Sequence, residues 1–389
     1  MQTYIYRELE KLLKEYQDIF PVIAIIGPRQ CGKSTMARQI SNNFSNAVYL
    51  DLESEKDLNK LKVDASFFFR NNTDKTIFID EVQQYPDIYS ILRPIVDEIK
   101  RPGWIVLLGS ASPKLLRDSY ETLAGRIGFL ELYPFQINEV SKMPSYNLVD
   151  FWIKGGFPKA FLLSNKQSFI WRENFIKTFI ERDIPMLNIN IPALTLKRFL
   201  RMMVHFHGQV LNSSQLGNSL GVSHHTVRQY IDLFEHIFIL RTLPPYLPNL
   251  NKRLIKSPKI YFRDSGLFHT LLQCSSLDEL MGFPAYGASW EGFALEQIIV
   301  AKPEWKPFFY RTRTGVEIDL VLEKGMKKIA IEFKVSTAPK LGRGFYQALK
   351  DLNIERGYII SPIESSYQLN EKVVVSSLED FLLNNELWK

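Results

Sequence analysis

Residues near the amino terminus have the types and spacing needed for phosphate chemistry. They fit G-x-x-x-x-G-K-[ST] at every fixed position: Gly27-Pro28-Arg29-Gln30-Cys31-Gly32-Lys33-Ser34. The two glycines let the backbone turn so that its N–H groups converge on a phosphate chain. In such a loop Lys33 reaches the outer phosphates and Ser34 ligates Mg²⁺. We therefore predict that residues Gly27 to Thr35 bind a nucleotide; the alternative is a glycine-rich loop formed by chance.

A pair of acids follows an apolar run 47 residues after Lys33. The run, Thr76 to Ile79, predicts a buried strand of a parallel sheet, at whose carboxyl end Asp80 would emerge. There Asp80 can hold Mg²⁺ through water, and Glu81 can polarise the water that attacks the γ-phosphate. The alternative is a structural acid pair at the end of a strand.

Two further polar residues are candidates for the same reaction. Ser110 follows the apolar run Trp104 to Leu108, so it could sense the γ-phosphate from the end of a neighbouring strand. Arg126 could act as an arginine finger, in cis or from a neighbouring subunit. An ordinary surface or ion-paired arginine is an equal alternative for Arg126.

A second set of charged residues lies in the last hundred positions. Residues 315–322 and 329–335 alternate in polarity and predict a β-hairpin around Lys324 and Gly325. Asp319, Glu332 and Lys334 then point away from the apolar face of the hairpin. With Glu291 from a preceding helix, the carboxylates would make an oxygen-rich site for Mg²⁺ or Mn²⁺.

These four residues resemble the motif of the PD-(D/E)xK nuclease superfamily, with Glu291 as the helical acid. Under that resemblance Glu291, Asp319 and Glu332 are metal ligands, and Lys334 orients a water or neutralises a phosphate during phosphodiester hydrolysis. Two alternatives stay open: a hairpin with ordinary outward charges, and a nuclease-like fold that binds without cleaving.

The middle of the chain carries a helix-turn-helix pattern between Ser214 and Ile231. Gly217 allows a close helix approach, Gly221 supplies a left-handed turn, and Ser223 is placed to cap the second helix. Residues 238–244 and 259–262 could be strands of a wing. If the module reads DNA, the contacting residues are His224, His225, Arg228 and Gln229. A purely structural or protein-binding module is the alternative.

Periodicity along the chain predicts the elements that position these residues. Alternating strands and helices to about Leu132 predict a doubly wound parallel α/β ATPase domain over residues 1–150. Apolar-aromatic helical segments then predict a helical and winged-helix domain over residues 151–285. Residues 286–389 form the third predicted domain, an α/β domain of PD-(D/E)xK type.

Composition narrows the class of protein. The net charge is +6, and residues 166–260 hold 13 Lys and Arg but 5 Asp and Glu, which favours an acidic partner such as DNA. Two cysteines cannot make a disulfide framework or a four-cysteine zinc site. No run of eighteen apolar residues or secretory signal is present, so we expect a cytoplasmic protein that is not membrane-bound.

Taken together, the motifs resemble a bacterial and archaeal family that joins an AAA-type ATPase domain to a C-terminal domain of unknown function. Outside the residues above, the matching segments are Val82-Gln83, Gly109-Ser110, Leu123 to Arg126, Gly155 to Pro158 and Lys259 to Leu267. The resemblance implies ATP binding and hydrolysis, a winged helix and a nuclease-like tail. One departure is Cys31, where the family more often has a small apolar residue.

We therefore expect a Mg²⁺-dependent AAA-type ATPase whose C-terminal region acts on DNA, with oligomerisation open. The alternative is a nucleotide-controlled regulatory or protein-binding switch with an inactive nuclease-like fold.

Overall fold

A computed structural model describes residues 4–44, 46–110, 122–186, 189, 191–247 and 254–388, with the side chains of residues 110, 385 and 386 outside that description. The chain forms two compact units: Met1–Phe135 with His236–Phe238, and Gln136–Glu235 with Ile239–Lys389. Most of predicted domain 1–150 makes up the first unit, and predicted domains 151–285 and 286–389 lie in the second apart from residues 236–238. No helix in the described ranges is both long and apolar enough to span a membrane.

The first unit alternates strands with helices, as predicted. Its strands are β1 Val22–Gly27, β2 Ala47–Asp51, β3 Thr76–Asp80, β4 Ile105–Ser110 and β5 Ile127–Glu131. Its helices are α1 Leu9–Gln17, α2 Lys33–Ser41, α3 Glu55–Arg70 and α4 Ile88–Ile99, with a 3₁₀ turn at Val82–Gln84.

The five strands form one sheet in the order β2-β3-β4-β1-β5, and every pair in it is parallel. Register places Gly27 beside Ser110 and Asp51 beside Asp80. The carboxyl ends of these strands therefore meet at one edge of the sheet, which is where ligands bind in open parallel α/β sheets.

Apolar side chains cover both faces of this sheet. One face packs α3 and α4, with Phe69, Leu92 and Trp104 fully buried. The other face packs α1 and α2, through residues such as Leu13 and Met36. Burying each large side chain contributes about 1.5–3 kcal/mol. The two covered faces confirm the predicted parallel-sheet α/β architecture.

The second unit is a mixed α/β structure. Its helices are α5 Ile137–Val140, α6 Leu148–Lys154, α7 Pro158–Leu162, α8 Asn165–Thr178, α9 Ile184–Met186, α10 Ala193–Met203, α11 Ser213–Leu220, α12 His224–His236, α13 Ser265–Leu271, α14 Leu277–Met281, α15 Tyr286–Ala301, α16 Arg343–Leu352, α17 Leu378–Leu383 and α18 Asn385–Trp388. Its strands are β6 Gln209–Val210, β7 Leu240–Leu243, β8 Lys259–Phe262, β9 Lys306–Arg311, β10 Glu317–Lys324, β11 Lys327–Phe333, β12 Gly357–Ile360, β13 Tyr367–Asn370 and β14 Val373–Ser376. A π-helical turn, Phe179–Asp183, follows α8, and a 3₁₀ turn, Val204–Phe206, follows α10.

Helices α11 and α12 meet at the turn that the glycine pattern predicts. Gly221 adopts φ +69°, the left-handed region. A Cβ atom on Gly217 would lie 2.7 Å from the carbonyl oxygen of Val222, so the close approach requires glycine. The Ser223 hydroxyl accepts a 3.1 Å hydrogen bond from the Thr226 N–H and caps α12. The two strands predicted after this pair are present as β7 and β8, in a three-stranded sheet ordered β6-β8-β7.

A six-stranded sheet ordered β13-β14-β12-β11-β10-β9 forms the rest of the second unit. The predicted hairpin is β10 and β11, antiparallel with Leu320 opposite Ile331. Strand β12 then pairs parallel with both β11 and β14, which makes the sheet mixed. Apolar residues of α16, including Phe345 and Leu349, pack against this sheet.

A buried ion cluster joins α15 to the small sheet. Arg241 of β7 donates to both carboxylate oxygens of Glu296, at 2.5 and 2.9 Å, and Arg263 donates to one of them at 2.8 Å. Burial alone would raise the pKa of Glu296, but the two guanidinium groups outweigh it and hold the pKa at about 2. Segments from two predicted domains thus share one charged interior.

We predict that Glu296→Gln destabilises the second unit by about 3–5 kcal/mol at pH 7, because it leaves two half-buried guanidinium groups without their carboxylate. The native pKa of about 2 lies below the ordinary value of 4.5. The carboxylate's contribution is therefore complete above about pH 5 and disappears as the pH falls through 2. Urea unfolding of wild type and Glu296→Gln at several pH values measures this effect. The difference between their free energies of unfolding should become smaller as the pH falls from 7 to 2.

The matched control is Glu304→Gln, which removes an acid from an exposed 3.6 Å pair with Lys324. It should cost less than about 1 kcal/mol. Equal losses in the two variants, or a difference that stays constant with pH, would contradict this account.

Candidate functional site

The loop after β1 is held in place by close backbone packing. A Cβ atom on Gly27 would lie 2.1 Å from the carbonyl oxygen of Leu132, so the position requires glycine. Arg7 donates a 2.9 Å hydrogen bond to the carbonyl oxygen of Cys31. The buried Cys31 thiol donates in turn to the Leu132 carbonyl at 3.4 Å. Cys31 is therefore tolerated as a packing residue beneath the loop.

The turn itself uses the left-handed region twice, with φ +63° at Gln30 and +102° at Gly32. Helix α2 begins at Lys33, directly after this turn. The N–H groups of its first turn have no acceptor within the helix, and the helix dipole adds partial positive charge there. Both features suit a phosphate group.

Lys33 carries its ammonium into the loop. Its Nζ donates to the carbonyl oxygens of Gly27 at 3.0 Å and Pro28 at 2.9 Å, and the residue is 6% exposed. An ammonium has three N–H donors. Within the described part of the chain, one donor is left for a phosphate oxygen.

Asp80 ends β3 and is 2% exposed. The hydroxyl of Tyr49 donates to its Oδ2 at 2.6 Å, and the N–H of Glu81 donates to its Oδ1 at 3.0 Å. These bonds fix the carboxylate at the strand end, and each oxygen keeps a further lone pair for a cation or its water. Asp80 thus lies where the sequence predicted.

Glu81 adopts φ +55°, in the left-handed region, where a residue with a side chain costs on the order of 1–3 kcal/mol. Its carboxylate accepts a hydrogen bond from the amide of Gln83. Burial raises the pKa of the Glu81 carboxyl, although the nearby Lys33 ammonium opposes the shift. This strained acid lies beside Asp80 at the same edge of the sheet.

The sequence reasoning missed Tyr49 and Arg38. The Arg38 guanidinium lies 5.0 Å from the centre of the Tyr49 ring and forms a 3.2 Å ion pair with Asp51. Burial, together with the hydrogen bond to Asp80, raises the pKa of Tyr49 well above its usual range. The available signal was the position of Tyr49 on β2, beside the strand that ends in Asp80.

Arg126 lies at the opposite edge of the sheet from the loop. It precedes β5, and its carbonyl accepts from the N–H of Val22, the first residue of β1. The length of β1 separates the two edges by about 16 Å. The guanidinium instead pairs with Asp97 at 2.5 and 2.8 Å. This position favours a role in trans over one in cis, and the predicted finger stays a prediction.

Ser110 is the last residue of β4, beside Gly27 in register. Its side chain lies outside the described part of the chain, so its predicted role as a γ-phosphate sensor stays a prediction.

In the second unit the predicted acids come together, but around a lysine that the sequence reasoning missed. The Nζ of Lys259 lies 3.2 Å from Glu291, 2.9 Å from Glu317 and 3.4 Å from Asp319. The Lys259 side chain is 3% exposed. Burial would lower its pKa, but the surrounding carboxylates hold the pKa well above its ordinary value. The group at the centre of the acids is thus an ammonium.

Glu332 and Lys334 lie together, as the alternation in β11 predicts. Lys334 Nζ donates to Glu332 Oε1 at 2.7 Å. The other oxygen, Oε2, is buried and has no hydrogen-bond partner among the residues that the structure describes. Burial and the neighbouring Asp319 carboxylate raise the pKa of Glu332, and burial likewise raises that of Glu291 despite the Lys259 ammonium.

The predicted metal site at Glu291, Asp319 and Glu332 does not agree with this geometry. Within the described ranges, no group of three or more His, Cys, Asp or Glu side chains is arranged to hold a metal ion. Asp319 Oδ1 faces Lys259, and its Oδ2 accepts from the N–H of Phe333 at 3.1 Å. One orphaned oxygen, on Glu332, is too few for a divalent cation, which takes six or more oxygen ligands.

The four candidate nucleic-acid contacts share one exposed surface at the start of α12. They are His224, His225, Arg228 and Gln229, all exposed. Val227 and Tyr230, on the opposite face, are buried. The helix thus has the solvent-facing polar side that the pattern predicts.

Three family models match consecutive segments of the chain. Residues 20–141 match an AAA domain. Residues 145–278 and 286–381 match two domains of unknown function, DUF8612 and DUF4143. The Walker-type ATPase PABY2304 of Pyrococcus abyssi shares the fold over 69% of this chain and 96% of its own, with a TM-score of 0.50 and 15% identity.

Relatives along almost the full chain are also found. Uncharacterized proteins of Mycobacterium tuberculosis and Mycobacterium bovis are each 36% identical over 363 residues, which is 93% of this chain and 81% of theirs. An uncharacterized protein of Haemophilus influenzae is 22% identical over 67% of this chain and 71% of its own. The chain therefore belongs to the family of these uncharacterized mycobacterial proteins, and its first unit is an AAA-type P-loop ATPase domain.

Proposed function

We propose that the protein is a Mg²⁺-dependent ATP hydrolase of AAA type. The observation that carries this proposal is the position of Lys33, whose ammonium lies inside the loop at the strand edge where Asp80 and Glu81 also end. Burial of Lys33 and Asp80 keeps bulk water from weakening their interaction with a phosphate and its cation. A buried cation, two acids and a free helix start are the parts that phosphoryl transfer requires.

Each residue of the site has a proposed role. The backbone of residues 27–35 surrounds the phosphate chain, and Lys33 contacts the outer phosphates. The Ser34 hydroxyl and the Asp80 carboxylate fit a magnesium ion, since both supply oxygen and both lie at the loop edge. Mg²⁺ would offset the phosphate charge. Glu81 accepts a proton from the water that attacks the γ-phosphorus, and ADP and inorganic phosphate leave.

Arg126 would complete this site only from another subunit. Its position at the far edge of the sheet, in a pair with Asp97, leaves it partly exposed and able to exchange partners at an interface. An oligomer in which Arg126 approaches the neighbour's γ-phosphate would use it as a finger.

We predict that Lys33→Ala raises the Kd for ATP by more than about 100-fold, because it removes the loop's ammonium. Glu81→Gln should keep the Kd within about threefold but lower kcat by roughly 10²–10⁴-fold, because the base is lost. Titration with a fluorescent ATP analogue and phosphate-release assays measure the two effects. The control is Lys62→Ala, which removes an exposed lysine of α3 and should change neither. Normal turnover in Glu81→Gln would remove the proposed base.

The proposed partner of the middle segment is DNA. The exposed residues of α12 lie at its first turns, the part of a recognition helix that enters the major groove, where Arg228 would contact a phosphate of the groove wall. Arg241 and Lys259 are paired with acids inside the protein, and the remaining excess of Lys and Arg in residues 166–260 supports an acidic partner. A protein partner for the same surface is the competing proposal.

We predict that Arg228→Ala weakens binding to duplex DNA and lowers the slope of log K against log salt by about one unit, because one phosphate contact is lost. Fluorescence anisotropy between 50 and 300 mM KCl measures this slope. Lys350→Ala, on the exposed side of α16, is the control and should leave it unchanged. Absence of wild-type binding at 50 mM KCl would argue against DNA and for a protein partner.

A second candidate function is favoured by the Lys259 geometry. Under this second proposal, the nuclease-like region does not cleave nucleic acid, and the ATPase cycle controls a regulatory or binding surface. The carboxylates that would ligate a metal are already paired with the ammonium groups of Lys259 and Lys334. A cation for phosphodiester hydrolysis would have to displace them.

We predict no cleavage of supercoiled plasmid by the wild-type protein with ATP and either Mg²⁺ or Mn²⁺, because the carboxylates are already paired. Agarose electrophoresis measures the conversion to open circles. Cleavage that disappears in both Asp319→Ala and Lys334→Ala would instead support a nuclease. Cleavage that survives both substitutions would come from a contaminant.

A further inference from the structure

We propose that Lys259 is a built-in counter-ion that keeps divalent cations out of the C-terminal carboxylate cluster, and that removing its ammonium creates a Mn²⁺ site there. The cluster consists of Glu291, Glu317, Asp319 and Glu332. This inference concerns cation binding alone, and it does not depend on ATP hydrolysis or on contact with DNA.

The ammonium lies among three carboxylates of the cluster. It donates hydrogen bonds to Glu291 at 3.2 Å and Asp319 at 3.4 Å, and it forms a 2.9 Å ion pair with Glu317. A divalent cation between the same oxygens would lie within about 2.0–2.6 Å of each. The ammonium and the metal therefore compete for one space.

Lys259 cannot easily leave that space, because its backbone is paired on both sides. It lies opposite Leu243 of β7 and Val210 of β6. Its Nζ also lies 5.7 Å from the centre of the Phe309 ring. A cation tethered in this way has a far higher local concentration than a metal in solution.

Once Lys259 is neutralised, the carboxylates of the cluster carry more negative charge than the nearby cations can balance. Four carboxylates would then face Lys334, which pairs with Glu332, and Arg311, which lies 3.4 Å from Glu317. The Tyr261 hydroxyl adds a hydrogen bond to Glu291. Glu291, Glu317 and Asp319 would each lose the ammonium that they share. Glu332 Oε2 has no hydrogen-bond partner among the described residues, and hard oxygen donors of this kind prefer Mn²⁺ or Mg²⁺.

The test uses full-length, nucleotide-free protein and Mn²⁺ as the probe. Lys259→Met keeps most of the stem's volume and removes the charge. We expect wild type and Asp319→Asn to bind the same amount of Mn²⁺. The electron paramagnetic resonance signal of free Mn²⁺ measures how much remains unbound. Lys259→Met should bind one additional Mn²⁺ per chain, and its Tm should rise by several degrees when Mn²⁺ is added. Lys259→Met with Asp319→Asn should lose both effects.

The control variant is Lys324→Met, which removes a lysine from the exposed end of β10 and should behave as wild type. Comparison with Asp319→Asn separates this site from any Mn²⁺ held by the nucleotide loop. Two results would overturn the proposal: wild-type binding that Asp319→Asn abolishes, and a cooperatively folded Lys259→Met that gains no Mn²⁺. If Lys259→Met folds only with Mn²⁺ present, the proposal is supported. If it does not fold at all, Lys259→Gln, which also removes the charge, takes its place in the same comparison, with the same two overturning results.

Discussion

Parallel pairing of β1 with β4 on one side and β5 on the other is the constraint on which the first unit depends. Because all strands run in one direction, their carboxyl ends share an edge, and the loop after Gly27 opens at the same edge as Asp80, with β4 between them. The same pairing sends Arg126 to the other edge. The parallel direction of the strands thus brings the predicted nucleotide-binding residues to one edge of the sheet and places Arg126 at the other. The close contact of Gly27 with Leu132 shows how little space the arrangement leaves.

The second unit relies on charge in its interior. Helix α15 carries two acids that face cations of the small sheet: Glu291 meets Lys259, and Glu296 meets Arg241. Such groups add little net stability over apolar packing, but an unpaired member is costly. An arrangement of α15 against β7 and β8 that left one of these groups unpaired would be less stable. The ionic groups therefore specify how the parts of this unit fit together.

Features set by neighbouring residues could be predicted from the sequence. Alternating polarity identified the β10–β11 hairpin and the side on which Glu332 and Lys334 lie. Glycine spacing identified the turn at Gly221, and the loop motif identified the position of Lys33. Features set by distant residues could not be predicted in this way. Lys259 lies 60 positions from Asp319 in the chain, so no local pattern links them, and the metal site was predicted where an ammonium lies.

The same separation along the chain has a consequence for folding order. The β10–β11 hairpin closes a two-residue turn, so it can form on the microsecond timescale. The Lys259 cluster needs β8, α15 and β10 together, and closing a loop of 60 residues carries a larger entropic cost. Until β8 arrives, the hairpin and α15 hold acids that repel one another. We therefore expect the ion cluster to form late in folding, so that the C-terminal sheet reaches its full stability only after β8 has paired with β7.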